Sequence, residues 1–171
     1  VCGHMALLNS QALKEASIPQ KQSNSPFLVK DEHGELTGLV SEEMLAYVRK
    51  LISSFIDFDT LLRAIYEGLK YAASQGLTML GFVGCEMESF KALQILKKEG
   101  RLPIRVRVYL TPDSLQSLKA AGIDGTFGDD LLKISGIKAM ADGSLGARTA
   151  WLSFPYSDDL GYYGYRTKSE E

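Results

Sequence analysis

Residues 104–110 alternate without interruption. Ile104, Val106, Val108 and Leu110 are apolar, and Arg105, Arg107 and Tyr109 lie between them, the period-two signature of a strand with one face in a core. The polar face fits either the lumen of a closed barrel or the solvated face of an edge strand. Upstream, residues 77–83 form a nearly continuous apolar run, which predicts a parallel strand covered on both faces. Between these strands, residues 90–98 place Leu93, Ile95 and Leu96 at helical spacing, with Gly100 just past the end. Pro112, Asp113 and Ser114 open another helix that ends near Ala121 and Gly122, and residues 131–141 predict a third strand. On its alternation Gly136, Lys138, Met140 and Asp142 share one face; Ile137, Ala139 and Ala141 share the other, small and apolar, suited to packing under helices. The β-α-β-α-β order implies parallel pairing through right-handed crossovers.

The first half reads differently. Residues 9–17 give a short helical pattern, closed by Pro19 and a polar loop through Pro26. Residues 27–40 carry Glu32, His33, Gly34 and Glu35 between apolar arms, which predicts a β-hairpin. Ser41 followed by Glu42 and Glu43 is an N-cap with acids in the first turn, starting a helix to about Ile52. Asp57 or Asp59 caps the next helix, where Leu61, Leu62, Ile65 and Leu69 keep the helical period until Gly76.

Composition narrows the class. With 171 residues, 45% hydrophobic and 23% charged, the chain can bury a core. A net charge of -2 argues against a nucleic-acid surface, which needs a clustered basic excess. No apolar run reaches the roughly 18 residues that span a bilayer, so no membrane partner is expected. Cys2 and Cys85 lack metal spacing and suggest a reducing compartment; cytoplasmic localisation is the expectation.

The candidate chemistry collects after the third strand. Lys138 and Asp142 bring an amine and a carboxylate whose burial would be costly without a partner or a metal. In the turn that follows, Gly143 and Gly146 allow backbone amides to converge on an anion. Asp142 and Arg148 either position substrate and fix the loop, or belong to a structural turn and the surface. Tyr156, Tyr162, Tyr163 and Tyr165 either line a pocket or pack the loop. Cys85 is read as a small buried thiol and His33 as a solvated turn residue.

Residues 137–150, Ile-Lys-Ala-Met-Ala-Asp-Gly-Ser-Leu-Gly-Ala-Arg-Thr-Ala, resemble a signature of the YtcJ-like branch of the amidohydrolase superfamily, the metal-dependent hydrolases. Residues 3–13, with His4, Asn9 and Ser10, are similar to that family's His-x-Ala-x-x-Asn-Ser-x-Ala-Leu segment. Gly76-Leu77-Thr78 resembles its Gly-Val-Thr strand opening, and Pro155-Tyr156-Ser157-Asp158 with Gly164 resembles its Pro-Tyr-x-Asp segment. Ala147 and Leu77 depart from the pattern where serine and valine are usual.

The resemblance implies an α/β fold: a partial (β/α) TIM-barrel segment over residues 76–171 with three parallel strands, preceded by a helix-plus-hairpin insertion over residues 1–75. It implies hydrolysis of an amide or related C–N bond of a small-molecule substrate by metal-activated water, with a divalent metal, zinc by expectation. Lys138, as a carbamate, would be a metal ligand in the full-length enzyme, Asp142 and Arg148 catalytic positioning residues, and His4 a substrate contact. The family builds its metal site around a His-x-His pair, whereas this chain has two histidines and no such pair. It opens on Val1 and ends on Ser169, Glu170 and Glu171, as if a helix were starting. The expectation is an excised internal fragment, inactive and metal-free alone, whose partner is the remainder of the parent barrel. Three strands cannot close a barrel, so its bare edges predict a homodimer, with the hairpin and helices folding back over the open face as the alternative. The rival reading is a non-catalytic α/β module that binds a small anion or serves in assembly.

Overall fold

The computed structural model describes residues 3–18 and 25–166. Cys2, the loop through Pro19 and the helix expected at Ser169 lie outside the described residues. The chain forms two compact units, one of residues 1–55 and 140–171, the other of residues 56–139. The units meet at 55/56 and again at 139/140. The helix that precedes Gly76 packs with the parallel sheet and belongs to its unit.

In the first unit, β1 (Met5–Leu7) pairs antiparallel with β3 (Leu36–Ser41), and β2 (Leu28–Lys30) pairs with β3 on the other side. The expected hairpin is β2 and β3, closed by Asp31, whose Oδ1 accepts from the amides of His33 and Glu35 at 2.9 Å each. The three-residue β1 is too short to announce itself in the sequence. Helix α1 (Ser10–Glu15) is capped by Asn9, which accepts from the Ala12 amide. Helix α2 (Glu42–Ser54) buries Met44, Leu45 and Val48, and Met44 and Leu45 join Leu28 and Val40 in a small core.

The second unit begins with α3 (Phe58–Ser74), capped by Asp57, which accepts from the Thr60 amide at 2.7 Å. Then come β4 (Met79–Cys85), α4 (Met87–Lys98), β5 (Arg105–Leu110), a 3-10 turn at Pro112–Ser114, α5 (Leu115–Ala120), β6 (Phe127–Gly128) and β7 (Leu132–Ile137). The sheet order is β4-β5-β7-β6, with β4, β5 and β7 parallel and the two-residue β6 antiparallel on the β7 edge. Leu69 and Ala72 of α3, Leu93 and Leu96 of α4 and Leu118 of α5 pack with Val106, Val108, Leu110, Leu132 and Ile134 in one core. Each fully buried valine or leucine there contributes on the order of 1.5–3 kcal/mol. All three helices thus cover the same face of the sheet.

Among the described residues no helix of this unit covers the opposite face, and here the structure corrects two expectations. Met79 and Val83 are about half exposed, so the apolar run of β4 is covered on one face only. The third strand stops at Ile137 instead of running to Ala141. Its neighbour β5 ends at Leu110, opposite Ile137, and one last bond follows, from the Lys138 amide to the Leu110 carbonyl at 2.8 Å. With no further partner residues the alternation ends, and Ile137, Ala139 and Ala141 are exposed rather than packed under helices.

Candidate functional site

In the parallel-sheet unit, Lys138 directly follows β7. Its side chain is half-buried and enters no ion pair among the described residues. A register shift between Val108 and Tyr109 brings Tyr109 opposite Gly136, and a Cβ on Gly136 would sit 3.5 Å from the Tyr109 ring. Arg107 lies on the bare face and donates to the Asp130 carbonyl at 3.1 Å. Cys85 is fully buried behind a second register shift at Gly84, whose φ is +74°. Burial, with a smaller push from Glu86, raises its thiol to about 12, so at neutral pH it remains a protonated, unreactive sulfur.

The other unit contains the more organised site. The Gly143–Gly146 turn is tied up by its own chain. The Gly143 amide donates to the Thr149 carbonyl at 3.2 Å and the Ser144 amide to Thr149 Oγ1 at 3.0 Å. Ala147, Arg148, Thr149 and Ala150 amides all return to Ser144 or Leu145. With the Gly143 and Ser144 amides engaged within the loop, the two glycines do not converge their amides on one anion, which disfavours the anion-binding module. Gly143 is required by close approach: a Cβ there would lie 2.1 Å from Thr149 Oγ1.

Asp142 and Arg148 both serve this loop. Asp142 Oδ2 accepts from the Trp151 amide at 3.0 Å. Arg148, held at φ +57°, pairs with Asp158 and with Asp159 and lies over the rings of Tyr156 and Tyr162. Tyr156 stacks on Tyr162, Tyr162 meets Tyr165 edge-on, and Tyr165 meets Phe27. Burial first, then the Tyr165 hydroxyl, raises Tyr162 to about 12. Tyr156, Tyr162 and Tyr165 therefore pack against one another in the loop, whereas Tyr163 is exposed.

His4 is not alone. Its Nδ1 lies 3.2 Å from both carboxylate oxygens of Glu42, the Glu42 amide donates to the His4 carbonyl at 3.2 Å, and Thr149 Oγ1 donates to Glu42 Oε1. Glu42 also lines a cavity of about 170 Å³ with Phe27, Gly143, Thr149 and Tyr165. Sequence reasoning took Glu42 for a first-turn helix acid. Its partners are 38 and 107 residues away, so no local spacing announces them.

Among the described residues no group of three or more His, Cys, Asp or Glu side chains is placed to hold a metal ion. His4 is turned to Glu42, and His33 pairs with Glu32 in an exposed turn. Of the expected ligands only Lys138 stands here. The residues described do not by themselves fit a metal centre.

This mixed α/β structure, with its one-sided parallel sheet and its Asp142-to-Ala150 loop, can be set beside known proteins. The profile of the amidohydrolase family matches residues 1–171, and the chain belongs to that family. It is 29% identical over 185 residues to "Putative amidohydrolase YtcJ" of Bacillus subtilis (strain 168), matching 100% of this chain and 33% of that protein. It is 30% identical over 184 residues to Protein LONG AFTER FAR-RED 3 of Arabidopsis thaliana, with 99% and 31% covered. Crystal structures of uncharacterized metal-dependent hydrolases from Pyrococcus horikoshii and Pyrococcus furiosus superpose with TM-scores of 0.75 and 0.73 at 33% identity, covering 97% of this chain and 32% and 34% of theirs. The chain spans about a third of the length of these relatives.

Proposed function

We propose that this chain is a segment of a metal-dependent amidohydrolase that hydrolyses an amide or related C–N bond of a small molecule with metal-activated water. The observation that carries the reading is the match along almost the whole chain to metal-dependent hydrolases of known structure. The parallel strands β4, β5 and β7 are read as an arc of a (β/α) barrel. Supporting this, α3, α4 and α5 all lie on one face, as in a barrel, whereas doubly wound sheets carry helices on both. Lys138, at the C-terminal end of β7, stands where such folds keep their chemistry. It is the residue this chain would bring to a divalent metal, zinc by expectation, as a carbamate; other ligands would come from outside the described residues. Asp142 and Arg148 fix the loop that follows Lys138 in the chain, and His4 meets the substrate. The bare face is covered by the remainder of the barrel in the parent and by a second copy when the chain is alone. A cytoplasmic setting is proposed on Cys85, a buried free thiol of the kind a reducing compartment preserves.

The test uses the full-length protein and elemental analysis of bound metal, alongside turnover. Lys138→Ala should remove most of both, and Cys85→Ala neither. If Cys85→Ala abolishes turnover while Lys138→Ala keeps metal and activity, the reading fails.

A further inference from the structure

We propose that Glu42 is the positioning residue of His4, holding the imidazole in the tautomer protonated at Nδ1 so that Nε2 presents a bare lone pair to a hydrogen-bond donor of the substrate, an N–H or hydroxyl. The proposal rests on the reading of His4 as a substrate contact and says how that contact is prepared.

The hydrogen bonds form a directed chain. The Ser144 amide donates to Thr149 Oγ1 at 3.0 Å, so the Thr149 hydroxyl proton points elsewhere; Glu42 Oε1 at 2.5 Å is its near acceptor and the Ser144 carbonyl at 3.5 Å the distant one. An ionised carboxylate only accepts. His4 Nδ1, 3.2 Å from both carboxylate oxygens, must therefore carry the proton between them. The partner of one ring nitrogen decides the state of the other, and carboxylates behind functional histidines work in this way. No hydrogen bond occupies Nε2 among the described residues, and the His4 side chain is 18% exposed against 10% for Glu42: the carboxylate is enclosed while the ring still reaches the surface. Glu42 also sits at φ +41°, a conformation that strains a non-glycine residue and persists where surroundings enforce it, often at functional positions. A plain first-turn acid would need neither the strain nor two fixed side-chain partners.

The decisive experiment is a long-range 1H–15N correlation spectrum of the 15N-labelled chain at mildly alkaline pH, where a free imidazole is neutral. Only two histidines contribute, and exposed His33 is the internal reference. The expected pattern for His4 is one protonated nitrogen at Nδ1 and one bare nitrogen at Nε2, distinct from the solvent average at His33. Glu42→Ala should shift His4 to the His33 pattern and leave His33 unchanged; Glu42→Gln, which keeps one acceptor oxygen, should give an intermediate population. A wild-type His4 protonated at Nε2, or at both nitrogens, overturns the proposal. So does a folded Glu42→Ala chain with an unchanged His4 pattern. If Glu42→Ala does not fold, the wild-type and Glu42→Gln spectra decide. No metal or substrate is needed, so failure here leaves the hydrolase reading standing, and loss of that reading leaves the tautomer result intact.

Discussion

Gly143→Ala places a methyl carbon 2.1 Å from Thr149 Oγ1 and 2.6 Å from the Thr149 carbonyl oxygen. Ordinary carbon contacts need about 3.5 Å, so Thr149, which is buried, has to retreat by more than an ångström. The Ser144 amide bond to Thr149 Oγ1, 3.0 Å long, is then stretched beyond hydrogen-bonding range. The hydroxyl is drawn away from the Glu42 carboxylate in the same movement. One neutral bond and one bond to a charged acceptor together amount to about 2–4 kcal/mol. Trp151 is the single tryptophan, and its amide is bonded to Asp142 in the same loop, so its fluorescence during urea titration reports on this unit. With a slope of about 2 kcal/mol/M the midpoint should fall by about 1–2 M. Gly146→Ala is the control, because a Cβ there meets nothing within 4 Å and should cost within about 0.5 kcal/mol. Equal midpoints for wild type and Gly143→Ala, or equal losses for the two alanine variants, would refute the close-approach argument.

Lys97, followed by the amides of Leu132 and Leu131, holds the Asp129 carboxyl down at about 2 against an ordinary 3.8. That contribution is complete above the ordinary value and disappears as pH falls through about 2; Asp129→Ala should lower the urea midpoint at neutral pH and not at the acid limit, and an equal loss at both would refute it. The isolated chain should retain no stoichiometric zinc after dialysis and show no hydrolase activity; zinc traced to its own residues by elemental analysis would contradict this. Light scattering over a dilution series should show a dimer of the isolated chain, because β4 has no strand partner on its outer edge among the described residues and open edges pair. A strictly monomeric species at high concentration would rule it out.

The amino-acid sequence by itself determined the main elements and their order, the short β1 and β6 excepted. The alternation of residues 104–110 became β5 with Val106, Val108 and Leu110 fully buried, and Asp57 caps α3 as its position before the apolar period requires. Such signals are local, since propensity, period and capping act over a few residues. Three matters were decided only by tertiary structure. An apolar run such as residues 77–83 is the same whether one face or two are covered, and the exposure of Met79 and Val83 depends on where α3 and α4 pack. The third strand ends at Ile137 because β5 runs out of partner residues, although its own sequence continues to suit a strand. The contact of Glu42 with His4 and Thr149 joins residues far apart in the chain, and no periodicity links such positions. What reveals it is a carboxylate that becomes buried only when the β3–α2 junction, the His4 segment and the glycine loop fold together, and that then must find its hydrogen-bond donors there.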